Sequence, residues 1–504
     1  MNNFSELKNF YRFPFFILIV FSLHLLTINF LPTNFEGPNG IGANFFEVED
    51  KKTFLQIFFK GQFNSFVFPL IASFLNDLLP FIDGNQSIRI ISASSYIFLI
   101  FSIINIYQTI FNKKINITLL IIIIFNPIIW HYGHRMYVGL FSYSISLFAF
   151  SYILLIRQNF FKFILYSTLG LGIVLKPFNL ILLPILTIIY FNKFKLSIKF
   201  FKENIFLYLT SMFLPFIYYF IIYFYLGNLI TPENEDLKIA FFSNHDDRKL
   251  LYVLNNFVSY VGFFNLMLAP FSFILIKQKE FFKNKIQILL LIFLSFFLSR
   301  YLFFTAELNF GPLQSIIPND IFFYLISFSF FYFFTFNYYK ISGLLNDKEK
   351  LYKYILCIIF IILYIFILSF IKGSQRYIIP IIPIYFVLIH EHIKFNLIYI
   401  LSFFLYLLLN LALLFNYYIT GKSYEQIINY LNRNDILYLT NPMVITPHVF
   451  HLYQNNKNLE SGQSLYIEDS IYFVDYGSNQ SSIFYSSVEI FGAKINKYSV
   501  FKYD

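Results

Sequence analysis

Residues 354–371 read YILCIIFIILYIFILSFI, a run in which no side chain carries a charge. A helix of about 20 mostly apolar residues crosses a bilayer core about 30 Å thick. The run therefore predicts a transmembrane helix. Comparable apolar runs predict about thirteen such helices, at 13–31, 88–111, 117–131, 138–156, 161–175, 178–192, 203–226, 253–276, 286–303, 320–338, 354–371, 377–392 and 396–418.

The composition excludes a soluble enzyme and favours a polytopic membrane protein. Hydrophobic residues make up 58% of the chain and charged residues only 13%, against about 25% charged residues in an ordinary globular protein. The net charge of +10 does not point to nucleic acid, because the basic residues fall mostly in short loops between the predicted helices. Cys357 is the single cysteine, which excludes an intrachain disulfide and a cysteine metal cluster.

The distribution of basic residues predicts the orientation of the chain. Lysine-rich loops, such as KFKLSIKFFK at 193–202, alternate with loops that hold few basic residues. Basic loops remain on the cytoplasmic side, so the N-terminus is predicted inside and, with an odd number of helices, the C-terminus outside. This fits an integral, multi-pass protein of a bacterial inner membrane with a periplasmic site, or alternatively of the endoplasmic reticulum with a lumenal site.

Three outer segments are too long for simple turns, and we expect function there: 32–87, 227–252 and 419–504. The first is predicted as a catalytic loop with helices lying along the membrane surface. The last contains short alternating runs such as IYFVDYG at 471–477, which predict a small α/β or mostly β domain. The predicted division is therefore a membrane domain at 1–418 and an outer C-terminal domain at 419–504.

An acidic cluster lies in the first outer segment, at Glu47, Glu49 and Asp50. Carboxylates at a lipid–water boundary can act as a general base, because partial desolvation raises their basicity. The alternative is a solvated acidic loop neutralised by Lys51 and Lys52. The sequence leaves open which of the three carboxylates would be the base.

Basic residues on the predicted outer side are a second candidate functional feature, since positive charge is otherwise depleted there. Lys176 lies between two apolar segments, and an ionisable residue at such a boundary indicates function. A lipid phosphate is the candidate partner of the outer arginines, with structural ion pairing as the alternative. These arginines are Arg89, Arg135, Arg248, Arg300 and Arg376.

Two polar stretches add candidate substrate contacts. The stretch SNHDDRK contains His245 and Asp247, and WHYGHRMY contains His134. Neither has ligand spacing typical of a metal site, so no metal and no cofactor is predicted. Substrate contact and a plain solvated loop both remain open for them.

The order of these features resembles the GT-C superfamily of glycosyltransferases that use lipid-phosphate sugars. An acidic motif follows the first helix, Gly61 lies fourteen residues after Glu47, and SIRIISASSYIFLIFSI at 87–103 forms the next predicted helix. The stretches HYGHRMYVGLFS, LKPFNLILLP, AFFSNHDDRKLLYVL and GSQRYIIPIIPIYF are similar to motifs of the α-1,2-glucosyltransferase that completes the lipid-linked N-glycan precursor. The tail after 419 is more like the protein-mannosyl and aminoarabinose transferase branch. Glu47 and Val48 replace the usual Asp-Glu pair, which is a departure.

The resemblance implies an all-α, GT-C-like fold and an inverting hexosyltransferase that acts at the outer membrane face. The donor would be a polyprenyl-phosphate sugar, and the acceptor the hydroxyl of a glycan, a lipid or a protein. Lys176, Arg376, Arg135 and Arg248 would bind the donor phosphate, while His134, His245, Asp247, Asn179 and Tyr377 would contact substrate. The competing hypotheses are a transporter or flippase of lipid-linked oligosaccharide and a noncatalytic membrane scaffold.

Overall fold

A computed structural model shows a mostly helical chain with little strand, which confirms the predicted helical class. The structure describes residues 14–27, 74–75, 77–79, 81, 84–111, 114–134, 138–156, 158–185, 198–226, 249–268, 285–304, 308, 317–370, 374–390, 393, 397–433, 439–440, 472–476, 482–490, 493–495 and 498–502.

The α-helices are labelled in chain order. They are α1 (Pro14–Thr27), α2 (Gly84–Phe111), α3 (Ile117–Ile124), α4 (Pro127–His134), α5 (Val138–Ile153), α6 (Asn159–Leu175), α7 (Ile198–Leu226), α8 (Lys249–Met267), α9 (Lys285–Ser299), α10 (Asn319–Gly343), α11 (Lys348–Leu368), α12 (Ile381–Leu388) and α13 (Leu397–Arg433). Two 3₁₀ turns, Pro177–Ile181 and Gln375–Ile378, lie outside these helices.

Several helices are suited to a bilayer. Within the described ranges, five segments are long and apolar enough to cross a membrane. Helices α1, α5, α6 and α9 contain shorter apolar segments, and the predicted total of thirteen spans stays a prediction. The five long segments are Arg89–Thr109, Leu250–Met267, Asn319–Gly343, Lys350–Leu368 and Tyr399–Ser423.

The described chain divides into two compact units. As far as the structure describes them, unit 1 comprises Met1–Ile97, His131–Phe141 and Leu411–Asp504, and unit 2 comprises Phe98–Trp130 and Ser142–Asn410. The predicted domain boundary at 418/419 lies inside the continuous helix α13. The division into a membrane domain and an outer C-terminal domain therefore stays a prediction.

Close helix packing in unit 2 depends on small and polar residues. A Cβ on Gly262 of α8 would lie 2.3 Å from the backbone oxygen of Ile326 in α10, so these helices approach closely. Asn265 Nδ2 donates to the carbonyl oxygen of Ser329 at 3.0 Å and to its Oγ at 3.0 Å. Small residues and interhelical hydrogen bonds are typical of association in membranes, where lipid is as apolar as leucine.

One predicted helix, at 117–131, is interrupted between α3 and α4. Pro127 lacks a backbone N–H, and the Asn126 side chain accepts from Ile128 N at 3.1 Å, so a new helix begins there. Asn410 Nδ2 donates to Phe125 O at 3.0 Å and Asn126 Nδ2 donates to Met267 O at 2.8 Å. Side chains thus satisfy backbone groups at the interruption.

In unit 1, helix α13 packs against strands. Gln426 Nε2 donates to Ser487 O at 2.9 Å, and Ser487 N donates to Gln426 Oε1 at 2.8 Å. The rings of Tyr430 and Phe484 stack with centroids 4.1 Å apart. These paired contacts attach the segment around Ser487 to the end of the helix.

The strands are β1 (Leu439–Thr440), β2 (Tyr472–Tyr476), β3 (Ser482–Tyr485), β4 (Val488–Ile490), β5 (Ala493–Ile495) and β6 (Tyr498–Lys502). One sheet has the order β1-β2-β6-β3, with β1 parallel to β2 and β6 antiparallel to both of its neighbours. Strands β4 and β5 form a separate antiparallel pair. Strand β2 lies in the alternating run IYFVDYG from which a strand was predicted.

Candidate anion-binding site

The first element of the site is a turn at residues 176–181, here named the Lys176 turn. Helix α6 ends at Leu175, Lys176 has an extended backbone (φ −149°, ψ 110°), and a 3₁₀ turn follows from Pro177. The residue before a proline is disfavoured in helical conformation, which explains why the helix ends here. Lys176 is half-buried, and its N–H still donates to Gly172 O at 3.0 Å.

Asn179 holds this turn against helix α5. Its side chain is fully buried, and Nδ2 donates to Ser142 Oγ at 2.7 Å and to Gly172 O at 2.8 Å. Ser142 Oγ in turn donates to Gly172 O at 2.9 Å. Both N–H groups of the amide are therefore used within the fold, and only Oδ1 is left to accept from a ligand.

The second element is a turn at residues 374–380, here named the Arg376 turn. Ser374 is extended (φ −150°, ψ 134°), Gln375–Ile378 forms a 3₁₀ turn, and α12 begins after Pro380. Ser374 O accepts from Tyr377 N at 3.2 Å within the turn. Because this segment is not α-helical, its other backbone groups need partners from elsewhere in the fold.

Three buried tyrosine hydroxyls, from three different helices, bind the backbone of the Arg376 turn. Tyr260 of α8 accepts from Ser374 N at 2.8 Å. Tyr364 of α11 donates to Tyr377 O at 2.6 Å, and Tyr143 of α5 donates to Pro380 O at 2.8 Å. The backbone that carries Arg376 is thus fixed at both ends and in its middle.

Arg376 itself is half-buried, with its guanidinium near the ring of the next residue. The guanidinium carbon lies 5.5 Å from the centroid of the Tyr377 ring, within the range of a cation–π contact. The side chain is therefore held at a defined place rather than extended into solvent.

The two turns lie side by side. The ring centroids of Phe178 and Tyr377 are 5.8 Å apart, in edge contact at 62°. Phe178 is two residues from Lys176, and Tyr377 follows Arg376 directly. Two cationic residues far apart in the sequence are thus carried on neighbouring turns, an arrangement that could bind one anion.

Four of the predicted site residues belong to this cluster: Lys176, Asn179, Arg376 and Tyr377. His134 is the last residue of α4, but its side chain lies outside the described part. The other predicted residues also lie outside the described residues, so their roles stay predictions. They are Glu47, Glu49, Asp50, Arg135, Arg248, His245 and Asp247.

The sequence did not single out Ser142, Tyr143, Tyr260 or Tyr364, although each holds one of the turns. Their only signal was polarity inside apolar runs, which is weak in a chain with 40 tyrosines.

Among the residues that the structure describes, no group of three His, Cys, Asp or Glu side chains is arranged to hold a metal ion.

No family model, curated protein or solved structure matches this chain.

Proposed function

We propose that the protein transfers a sugar from a polyprenyl-phosphate donor to an acceptor hydroxyl, with the donor phosphate bound between the Lys176 turn and the Arg376 turn. The contact between Phe178 and Tyr377 carries this proposal, because it brings the two cationic turns together. Arginine binds phosphate oxygens through a planar pair of N–H donors, and lysine adds a compact charge. Neighbouring apolar helices suit a donor whose tail is a lipid.

The chemistry requires little beyond these cations and one base. A carboxylate among Glu47, Glu49 and Asp50 would take the proton of the acceptor hydroxyl. The hydroxyl oxygen would then attack the anomeric carbon from the face opposite the phosphate, which inverts the configuration. The bond to the phosphate oxygen breaks as the new bond forms. Lys176 and Arg376 would stabilise the charge that develops on the departing phosphate, so no acid catalyst is needed.

The decisive experiment measures sugar transfer by the purified full-length protein in nanodiscs. Labelled polyprenyl-phosphate sugars are supplied with a set of acceptors, and the release of free polyprenyl phosphate is followed. Loss of a hydrogen bond to a charged group costs about 1.5–3 kcal/mol, so Lys176→Ala and Arg376→Ala should each lower kcat/KM about 10–100-fold.

Arg300→Ala is the matched control. Arg300 is another of the predicted outer arginines and also has its guanidinium over an aromatic ring, 4.9 Å from the centroid of Phe296, but its side chain is exposed and it belongs to neither turn. Transfer by this variant should equal that of the unaltered protein. If Lys176→Ala and Arg376→Ala are as active as Arg300→Ala, the proposed phosphate site is wrong.

The acidic cluster is tested separately. Glu47→Gln, Glu49→Gln and Asp50→Asn keep side-chain size while removing the base. One of them should abolish transfer while leaving donor binding intact, because proton removal is needed only for the chemical step. Full activity in all three variants would exclude the cluster as the source of the base.

A flippase for lipid-linked oligosaccharide is the second candidate. The two turns favour it, since transporters often bind substrate where helices are broken. The same assay separates the two functions. A flippase moves the labelled donor between leaflets intact, whereas a transferase releases polyprenyl phosphate and labels the acceptor.

A further inference from the structure

Two adjacent residues of helix α5, Ser142 and Tyr143, each hold one of the two turns. Ser142 Oγ accepts from Asn179 Nδ2 of the Lys176 turn at 2.7 Å and donates to Gly172 O at 2.9 Å. The Tyr143 hydroxyl donates to Pro380 O of the Arg376 turn at 2.8 Å. Both side chains are fully buried.

The geometry of a helix explains how neighbouring residues can serve different turns. Successive residues are about 1.5 Å apart along the axis and about 100° apart around it, with 3.6 residues per turn. Ser142 and Tyr143 therefore point in two directions from almost the same height on α5. A two-residue segment of one helix is thus connected to both cationic turns.

The connection to the Lys176 turn is also tightly packed. A Cβ on Gly172 would lie 1.7 Å from Ser146 Oγ and 3.3 Å from Ser142 O, so α5 and α6 approach closely at this level. Gly172 O accepts from Ser142 Oγ, Asn179 Nδ2 and Lys176 N. Movement of α5 would therefore shift the backbone of Lys176.

We infer that Ser142 and Tyr143 are positioning residues that set the separation between Lys176 and Arg376 and so match it to one anionic headgroup. This inference rests on the proposed function, because it assumes that both cations bind the same phosphate. Neither residue touches the phosphate. Ser142 acts through the Lys176 turn and Tyr143 acts through the Arg376 turn.

The test measures binding of one probe, a polyprenyl monophosphate, to the full-length protein in detergent by calorimetry. Ser142→Ala and Tyr143→Phe each remove one hydroxyl and nothing else. The expected loss of affinity is about three- to tenfold for each variant, on the scale of the net contribution of a buried hydroxyl's hydrogen bonds.

Tyr399→Phe is the matched control. Its hydroxyl donates to the backbone oxygen of Thr118 at 2.9 Å and the side chain is buried, but neither residue belongs to the two turns. It should bind the probe as the unaltered protein does. Thermal unfolding of every variant is measured in parallel. If Tyr143→Phe melts well below Tyr399→Phe, binding by both variants is compared at a temperature at which each is fully folded.

Double variants separate positioning from general loosening of the fold. If Tyr143 acts through Arg376, then Tyr143→Phe should not weaken binding further in an Arg376→Ala background. Likewise, Ser142→Ala should have no further effect in a Lys176→Ala background. A purely structural role would lower affinity in every background.

The possible failures are distinguishable. Unchanged binding in Lys176→Ala and Arg376→Ala would refute the proposed phosphate site, and the positioning inference with it. If those two variants lose affinity while Ser142→Ala and Tyr143→Phe bind normally, only the positioning inference is overturned. Equal losses in single and double backgrounds would overturn it as well.

Discussion

Gly170 of α6 is where the structure makes its sharpest prediction about helix packing. A Cβ added there would lie 2.6 Å from the backbone oxygen of Ser211 in α7 and 3.2 Å from its carbonyl carbon. Ordinary contact begins at 3.4 Å, so the added methyl group lacks about 0.8 Å of space. The obstructing atoms belong to the backbone, so no side-chain rotation can relieve the clash.

The variant Gly170→Ala should therefore force α6 and α7 apart. Overpacking costs about 1–3 kcal/mol, and the better helix propensity of alanine returns up to about 1 kcal/mol. Because the obstacle is backbone, the cost should lie in the upper part of that range, about 2–3 kcal/mol, which leaves a net loss of about 1–2 kcal/mol in the free energy of unfolding. Because α6 leads directly into Lys176, binding of an anionic lipid should also weaken.

Alanine variants of two further glycines serve as comparisons for Gly170→Ala. Gly343, at the end of α10, has no atom within 4 Å of an added Cβ, so Gly343→Ala should be neutral or slightly stabilising. The stability of Gly172→Ala should lie between those of Gly343→Ala and Gly170→Ala. Its nearest obstacle is the hydroxyl of Ser146, which can rotate, although the Cβ of Ser146 would remain at 3.0 Å.

The assay is reversible unfolding in mixed micelles with increasing SDS, followed by tyrosine fluorescence or circular dichroism. From most to least stable, the predicted order is Gly343→Ala, then Gly172→Ala, then Gly170→Ala. If Gly170→Ala is as stable as Gly343→Ala, the backbone contact between α6 and α7 is wrong.

Three other predictions concern single contacts. Asn179→Leu removes two hydrogen bonds at nearly constant size, so it should lower the free energy of unfolding by about 1–3 kcal/mol and weaken probe binding; unchanged affinity would remove Asn179 from the site. Gln426→Ala should free the segment around Ser487, so limited proteolysis should cut beyond Arg433 faster; an unchanged rate would contradict the paired hydrogen bonds. Gly133→Ala would place a Cβ 1.8 Å from the Tyr96 hydroxyl and should lower the melting temperature in detergent, whereas an unchanged value would exclude that contact.

The helical class, and which residues to consider for the candidate site, could be predicted because their signals are local. A run of apolar residues such as 354–371 needs no knowledge of its neighbours to predict a long helix. Lys176 stood out because a charge between apolar segments is costly and therefore seldom accidental. Arg376 stood out through its place in a segment that resembles a family motif.

The interruptions of helices were harder to predict, because their cause lies partly elsewhere in the fold. Pro127 was visible within the predicted helix 117–131, but a proline can also be accommodated as a kink. What makes a true break stable is Asn410, nearly three hundred residues later, donating to Phe125 O. Such a partner cannot be read from the local pattern.

The role of individual tyrosines was hidden for a different reason. Tyr143, Tyr260 and Tyr364 have the same sequence surroundings as many other tyrosines that pack as large apolar groups. Only the fold shows that their hydroxyls converge on residues 374–380. In a chain with 74 phenylalanines and 40 tyrosines, amino-acid identity alone cannot separate packing from hydrogen bonding.

Satisfied backbone at a helix break is not by itself a sign of function in this protein. At the break between α3 and α4, Asn126 accepts from Ile128 N and Asn410 donates to Phe125 O, yet no lysine or arginine occurs from Ile117 to His134. The Lys176 turn and the Arg376 turn are satisfied in the same way, but each also carries a cation. Ionisable residues within or at the boundary of membrane segments typically mark substrate or ion sites. The combination of interrupted backbone with charge, on two turns in contact, is therefore the argument for a site there rather than at the first break.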